Sequence, residues 1–147
     1  MTPSANPVAP SEVSEIGFIT GTPRFLVRAE NLAILAASMI AYRSGGGSWI
    51  WFAVLFLLPD LSLLAYLAGS LWGARGYNLF HSYIGAALLG VLAWLLGSQS
   101  LALLALIWVA HIGLDRVLGF GLKYGTGFGD THLGRIGRRK ALSWPCG

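Results

Sequence analysis

Charge is what this sequence has least of. Only 11% of its 147 residues are Asp, Glu, Lys or Arg, under half of the roughly 25% found in soluble domains. The chain therefore cannot cover an ordinary water-facing surface. Between Arg43 and Asp115 the only charged residues are Asp60 and Arg75. Cysteine is almost missing as well. Cys146 stands alone, which excludes an intramolecular disulfide and any thiolate metal cluster within one chain. In MTPSANPVAPSEVSEIGFITGTPR no basic stretch precedes an apolar core, so a cleaved signal peptide is not expected. The Pro, Ser and Ala of residues 1–23 predict a flexible tail.

Apolar residues fill the space that charge leaves. They make up 55% of the chain and fall into four runs, over about residues 25–42, 49–68, 77–96 and 101–120. A helix needs about 20 apolar residues to cross the hydrocarbon core, and the first run is the shortest. The connections RSGGGS, GSLWGARG and GSQS are brief, which makes successive helices antiparallel neighbours. The expected fold is an all-α membrane protein: a four-transmembrane-helix antiparallel bundle over residues 24–122, followed by a glycine-rich, basic segment over 123–147. Nine cations (Arg24, Arg28, Arg75, Arg116, Lys123, Arg135, Arg138, Arg139, Lys140) fall on one side of that bundle and Arg43 alone on the other. The positive-inside rule makes the crowded side, with both termini, cytoplasmic. The net charge of +4 thus reflects topology and acidic lipid headgroups, and nucleic acid is not an expected partner.

Polar groups inside such runs are expensive, about 2.5–3.5 kcal/mol each for a charged residue at mid-span. The set is Glu30, Asp60, Asn78, His81, His111 and Asp115. At roughly 1.5 Å of rise per residue, all of them fall in the cytoplasmic half of the bilayer. His111 and Asp115 are four apart and share a helix face, as do Asn78 and His81 at three apart. Pro59 removes a backbone donor beside Asp60 and predicts a kink. Two imidazoles and two carboxylates from three helices suit one divalent metal, zinc, manganese or iron. Asp60, His81, His111 and Asp115 are the expected ligands and Glu30 the expected general base. Two other readings use the same residues: a structural polar network between helices, and a small proton- or ion-linked carrier.

The stretch DRVLGFGLKYGTGFGDTHLGRIGRRK is dense in glycine, which permits a tight return onto the inner mouth of the bundle. That would bring Lys123, Tyr124, Asp130, Thr131 and His132 toward the buried site. Asp130 and His132 are then further catalytic candidates, and Lys123, Tyr124 and Thr131 join Asn78 as substrate contacts. Its Gly-x-Gly elements follow no strand, so a nucleotide loop is not supported.

FLLPDLSLLAYLAG, YNLFHSY and IWVAHIGLDRVLGFGLKYGTGFGDTHLGRIG resemble a family of small bacterial membrane proteins, the domain of unknown function 4260 family, over roughly Arg24 to Gly137. The resemblance implies four spans in the bacterial inner membrane and carries no activity. A looser likeness runs to membrane-bound metal-dependent hydrolases, whose Pro-Asp, lone His and His-x-x-x-Asp elements occur in the order Pro59–Asp60, His81, His111–Asp115. This sequence has Phe80-His81-Ser82 where those proteins carry a Thr-His-Ser type motif. If it is an enzyme, the expected chemistry is metal-dependent hydrolysis of a lipid-like substrate, with membrane lipids as partners. In so short a chain a homo-oligomer would supply extra interior.

Overall fold

A computed structural model describes residues 19, 21–125 and 128–136. The flexible tail expected at the N-terminus lies, up to residue 18, outside the described residues, as does the basic run Arg138–Lys140. The described residues form five α-helices and one 3-10 helix: α1 (Gly21–Ser44), α2 (Trp49–Phe56), the 3-10 helix (Pro59–Ala68), α3 (Ser70–Phe80), α4 (Tyr83–Leu95) and α5 (Gln99–Leu118). They form four segments long and apolar enough to cross a membrane: Gly21–Ser44, Trp49–Ala68, Ser70–Leu95 and Gln99–Leu118. Between 6% and 39% of each segment is buried within the protein. The outward surface is correspondingly apolar, with Leu67, Trp94 and Ile50 between 75% and 88% exposed. A soluble protein does not show so much contiguous apolar surface.

α1 starts four residues before the expected boundary, because Gly21 takes a positive φ of 62° and Pro23 suits the first helical turn. The second segment breaks as Pro59 predicts. α2 stops at Phe56, and the chain continues through i→i+3 bonds, Leu58 N–H to Leu55 O and Asp60 N–H to Leu57 O (3.1 and 3.2 Å). Ten residues is long for a 3-10 helix, since such runs rarely exceed about four.

The expected loop GSLWGARG is not a loop. Gly69 alone makes the turn, with a φ of 107° that side-chain-bearing residues rarely adopt, and helix α3 begins at Ser70. Gly73 and Gly76 serve close approach instead of turning. A Cβ at Gly73 would sit 2.2 Å from the Tyr66 ring, and one at Gly76 2.8 Å from the Ala65 Cβ. These glycines let α3 lie against the 3-10 helix, so the third segment is Ser70–Leu95, broken at His81–Ser82.

α5 is the centre of the fold, packing against α1 and α4 and more lightly against α2. Arg28 Nε donates to Val117 O (2.6 Å) and Gln99 Nε2 to Gly45 O (2.7 Å), so α1 and α5 run in opposite directions. Gly113 allows their crossing, since a Cβ there would be 3.3 Å from Asn31 O. α5 begins at Ser98, whose Oγ accepts from Leu101 N–H, and ends at Gly119 in the left-handed region. Beyond it the chain returns toward α3. A small hairpin forms, β1 (Asp130–Thr131) with β2 (Gly134–Arg135), and Lys123 bridges to Thr131.

Candidate metal centre

The two helix breaks lie opposite one another and face α5. Asp60 follows Pro59 at the first break, His81 closes α3 at the second, and α5 presents His111 and Asp115 one turn apart. Counted from the segment ends at Trp49, Leu95 and Gln99, the three helices reach Asp60, His81 and His111 at similar depth, roughly 16–21 Å at 1.5 Å per residue, and Asp115 one turn further along.

The facing atoms converge. His81 Nε2 lies 3.2 Å from His111 Nε2, 3.4 Å from Asp60 Oδ1 and 3.5 Å from Asp115 Oδ2. His111 Nε2 lies 3.6 Å from Asp60 Oδ1 and 4.0 Å from Asp115 Oδ2. Asp60, His81 and His111 meet the spacing for one ion, with ligand atoms all within 4.8 Å, and Asp115 stands beside them. Both imidazoles are buried, whereas the Asp60 side chain is 40% exposed. The cluster is therefore open on the Asp60 side.

The surroundings fix the ring orientations. His81 Nδ1 is 3.0 Å from the Tyr77 carbonyl, which can only accept, so Nδ1 carries a proton and, in the neutral ring, Nε2 presents its lone pair to the cluster. This is the arrangement that metal-ligating histidines use. Tyr77 stacks on His81 (centroids 3.7 Å apart, 11° between planes) and donates its hydroxyl to Asp115 Oδ2 at 2.9 Å. Phe56 packs edge-on against His111. A tetrahedral zinc site with arms of about 2.05 Å has ligand–ligand edges of about 3.3 Å. Adjacent oxygens around magnesium, at arms of about 2.1 Å, stand about 3.0 Å apart. The separations among Asp60, His81 and His111, 3.2 to 3.6 Å, lie nearer the wider figure.

Side chains of α5 also hold the break in the third segment. Trp108 Nε1 donates to Phe80 O (2.6 Å) and Arg116 to His81 O (2.9 Å). These carbonyls would otherwise lack partners where the helix stops. Arg116, read from the sequence as a topology marker, is 7% exposed and holds His81 in place. Its burial, the break at His81 and the role of Tyr77 were not anticipated. The available signal for Tyr77 was its position four residues before His81, on the same helix face.

The remaining expected site residues disperse. Glu30 lies on the exposed flank of α1; its neighbour Asn31 turns inward and accepts from the Tyr83 hydroxyl (2.5 Å). Glu30 is thus not positioned as a general base for this cluster. Asn78 clamps the returning chain, accepting from Lys123 N–H (2.7 Å) and donating to Lys123 O (2.8 Å). That clamp is structural, tying α3 to the C-terminal segment. His132 Nδ1 accepts from Leu122 N–H (2.8 Å) and Thr131 Oγ1 donates to Gly134 O (2.6 Å), so both build the hairpin. The Asp130 carbonyl accepts from Tyr124 N–H, and the Tyr124 side chain is exposed. Burial, and then the Arg116 charge, push the His132 imidazole below its ordinary range.

Lys123 differs from its neighbours. Its Nζ lies 3.2, 4.5 and 5.5 Å from the ring centroids of Phe128, Tyr77 and Tyr66, an aromatic cage for a cation. Burial lowers its ammonium pKa to about 8, against the opposing pull of Asp115 and Asp60. Its ammonium lies in electrostatic range of both cluster carboxylates.

These features define a class: a helical protein with four membrane-length segments, two of them broken where an Asp/His/His group of metal-ligand spacing assembles. Residues 24–136 match the family described as domain of unknown function DUF4260, and the chain belongs to that family. No curated protein and no solved structure matches it.

Proposed function

We propose that this chain is a multi-pass protein of the bacterial inner membrane, an antiparallel four-span bundle with both ends cytoplasmic. In this reading it binds one divalent metal, zinc before manganese or iron, through Asp60, His81, His111 and Asp115. The metal supports hydrolysis of a lipid-like substrate. The observation that carries the proposal is the convergence of Asp60, His81 and His111, whose donor atoms lie 3.2 to 3.6 Å apart, with Asp115 Oδ2 at 3.5 and 4.0 Å from the two imidazoles and His81 Nδ1 turned to the Tyr77 carbonyl. Charge balance supports it. Two carboxylates and two neutral imidazoles neutralise a divalent cation, and a neutral site is the least costly one to bury at this depth.

A bound metal of this kind polarises an ester or phosphoester and activates water near neutral pH. The chain's own residues orient the reaction. The open side at Asp60 admits water and the ester group, and Lys123 adds positive charge nearby. Hydrolysis forms a bond from the water oxygen to the carbonyl carbon or phosphorus. The bond to the leaving alcohol breaks, and that alcohol takes up a proton from water.

A second reading draws on the 3.2 Å contact between the two Nε2 atoms. One imidazole donates to the other, and the cluster is a metal-free polar network or proton path. Metal analysis of detergent-purified protein separates the two. About one metal per chain is expected, with substantial loss in His81→Ala, His111→Ala and Asp115→Ala. Wild-type protein that stays metal-free after supplementation would overturn the metal centre. Acidification-driven uptake in liposomes would favour the proton path.

A further inference from the structure

Beside the cluster runs an apolar channel that the metal centre does not use. α2 and α4 both lean on α5 and barely touch each other, so a gap stays open along α5 between them. Its deep part is a cavity of ≈ 160 Å³ lined by apolar side chains including Leu58, Pro59, Phe80 and Trp108. A second cavity of ≈ 360 Å³, between α1, α2 and α5, reaches Tyr42, Ser48 and Ser100. Leu55, Leu104 and Ile107 line both, so the two cavities adjoin along α5. The two volumes together fall within the range of about 300–1,000 Å³ typical of ligand pockets.

The deep cavity lies beside the reacting groups, since Pro59, which precedes Asp60, and Phe80, which precedes His81, both line it. Trp108 fixes that end, its Nε1 bonded to Phe80 O and its ring so close to Gly85 that a Cβ there would stand 2.9 Å away. Leu58 and Phe80, at 45% and 43% exposed, leave the rim open toward the surrounding bilayer.

We propose that the two adjoining cavities act as one passage and seat one acyl chain of a membrane lipid, with the chain's ester end at the cluster and its methyl end toward Ser48 and Ser100. The inference rests on the lipid-hydrolase reading and names its substrate class. Two observations select an acyl chain over other occupants. The deep lining is hydrocarbon and aromatic, and the cavities lie along membrane-length helices where acyl chains are the surrounding solvent.

The test uses the full-length protein in nanodiscs of phosphatidylethanolamine with a diazirine on one acyl chain. Photo-adducts are mapped by mass spectrometry, and metal is counted on the same samples. Adducts are expected to concentrate on residues 49–59 and 100–108. Leu104→Trp should reduce them about tenfold with metal content unchanged, because a single methylene in an apolar pocket already carries about 10–200-fold. If Leu104→Trp does not fold, Leu58→Trp at the rim blocks the same passage. Adducts spread evenly over all lipid-facing helices, or unaffected by a folded blocking variant, would overturn the assignment. Localised adducts on metal-free protein would refute the metal centre and leave the chain site standing.

Discussion

Tyr77→Phe probes the metal centre with the least disturbance to the fold. The substitution keeps the ring that stacks on His81 at 3.7 Å and removes one hydroxyl, the donor to Asp115 Oδ2 at 2.9 Å. An outer-sphere hydrogen bond to a ligand is worth about 10–100-fold in metal affinity, or roughly 1.4–2.7 kcal/mol at 1.36 kcal/mol per decade. The lower half of that range is expected here, since Asp115 is an outer member of the set, 4.0 Å from His111. Titration of apo-protein with zinc against a chromophoric chelator, in detergent at fixed pH, measures the change directly. In a metal-free polar network the same deletion would remove only an interhelical hydrogen bond, averaging about 0.6 kcal/mol, and would leave zinc binding untouched. A zinc affinity unchanged within about twofold, in protein with wild-type helix content, would refute the claim that Tyr77 and Asp115 serve a metal.

Arg116→Met should lower apo-protein stability by about 1–3 kcal/mol, the usual penalty for a buried carbonyl that loses its donor. Chemical denaturation in mixed micelles reads it, and Arg116→Lys should recover only part. Gly73→Val should cost about 1–3 kcal/mol by overpacking against Tyr66, and a Gly73→Val/Tyr66→Ala double variant should regain part of that loss. For Lys123 the sign follows from burial. Its folded pKa of about 8 lies below the ordinary value near 10.4, so between these limits the unfolded chain holds more protons and stability rises with pH. Wild type should gain thermal stability relative to Lys123→Met from about pH 8 to pH 10. A flat difference would show that Lys123 is not desolvated in its aromatic cage.

Several features of the fold were legible because they depend on local chemistry. Low charge and four apolar runs fix membrane-length helices whatever their partners, since a backbone in hydrocarbon must bond to itself. Pro59 announced the break in the second segment by lacking an N–H. The break at His81–Ser82 carried no such mark. It exists because Trp108 and Arg116, some thirty residues away, supply donors to Phe80 and His81. Gly73 and Gly76 misled for a related reason. Glycine signals a turn when read locally, but here its missing side chain serves the contact between α3 and the 3-10 helix.

For the site, sequence alone determined which residues had reason to gather: few ionisable groups, costly in lipid, placed at similar depth on three helices. Periodicity also set His111 and Asp115 on one face. Only tertiary structure decided which of them meet. Glu30 and Asn31 are adjacent in the chain, yet helix rotation against α5 turns Asn31 inward and leaves Glu30 outside. Depth is a one-dimensional quantity that a sequence can count, whereas azimuth depends on the neighbours a helix packs against. Asp60, His81, His111 and Asp115 converge because two broken helices turn their breaks toward one face of α5.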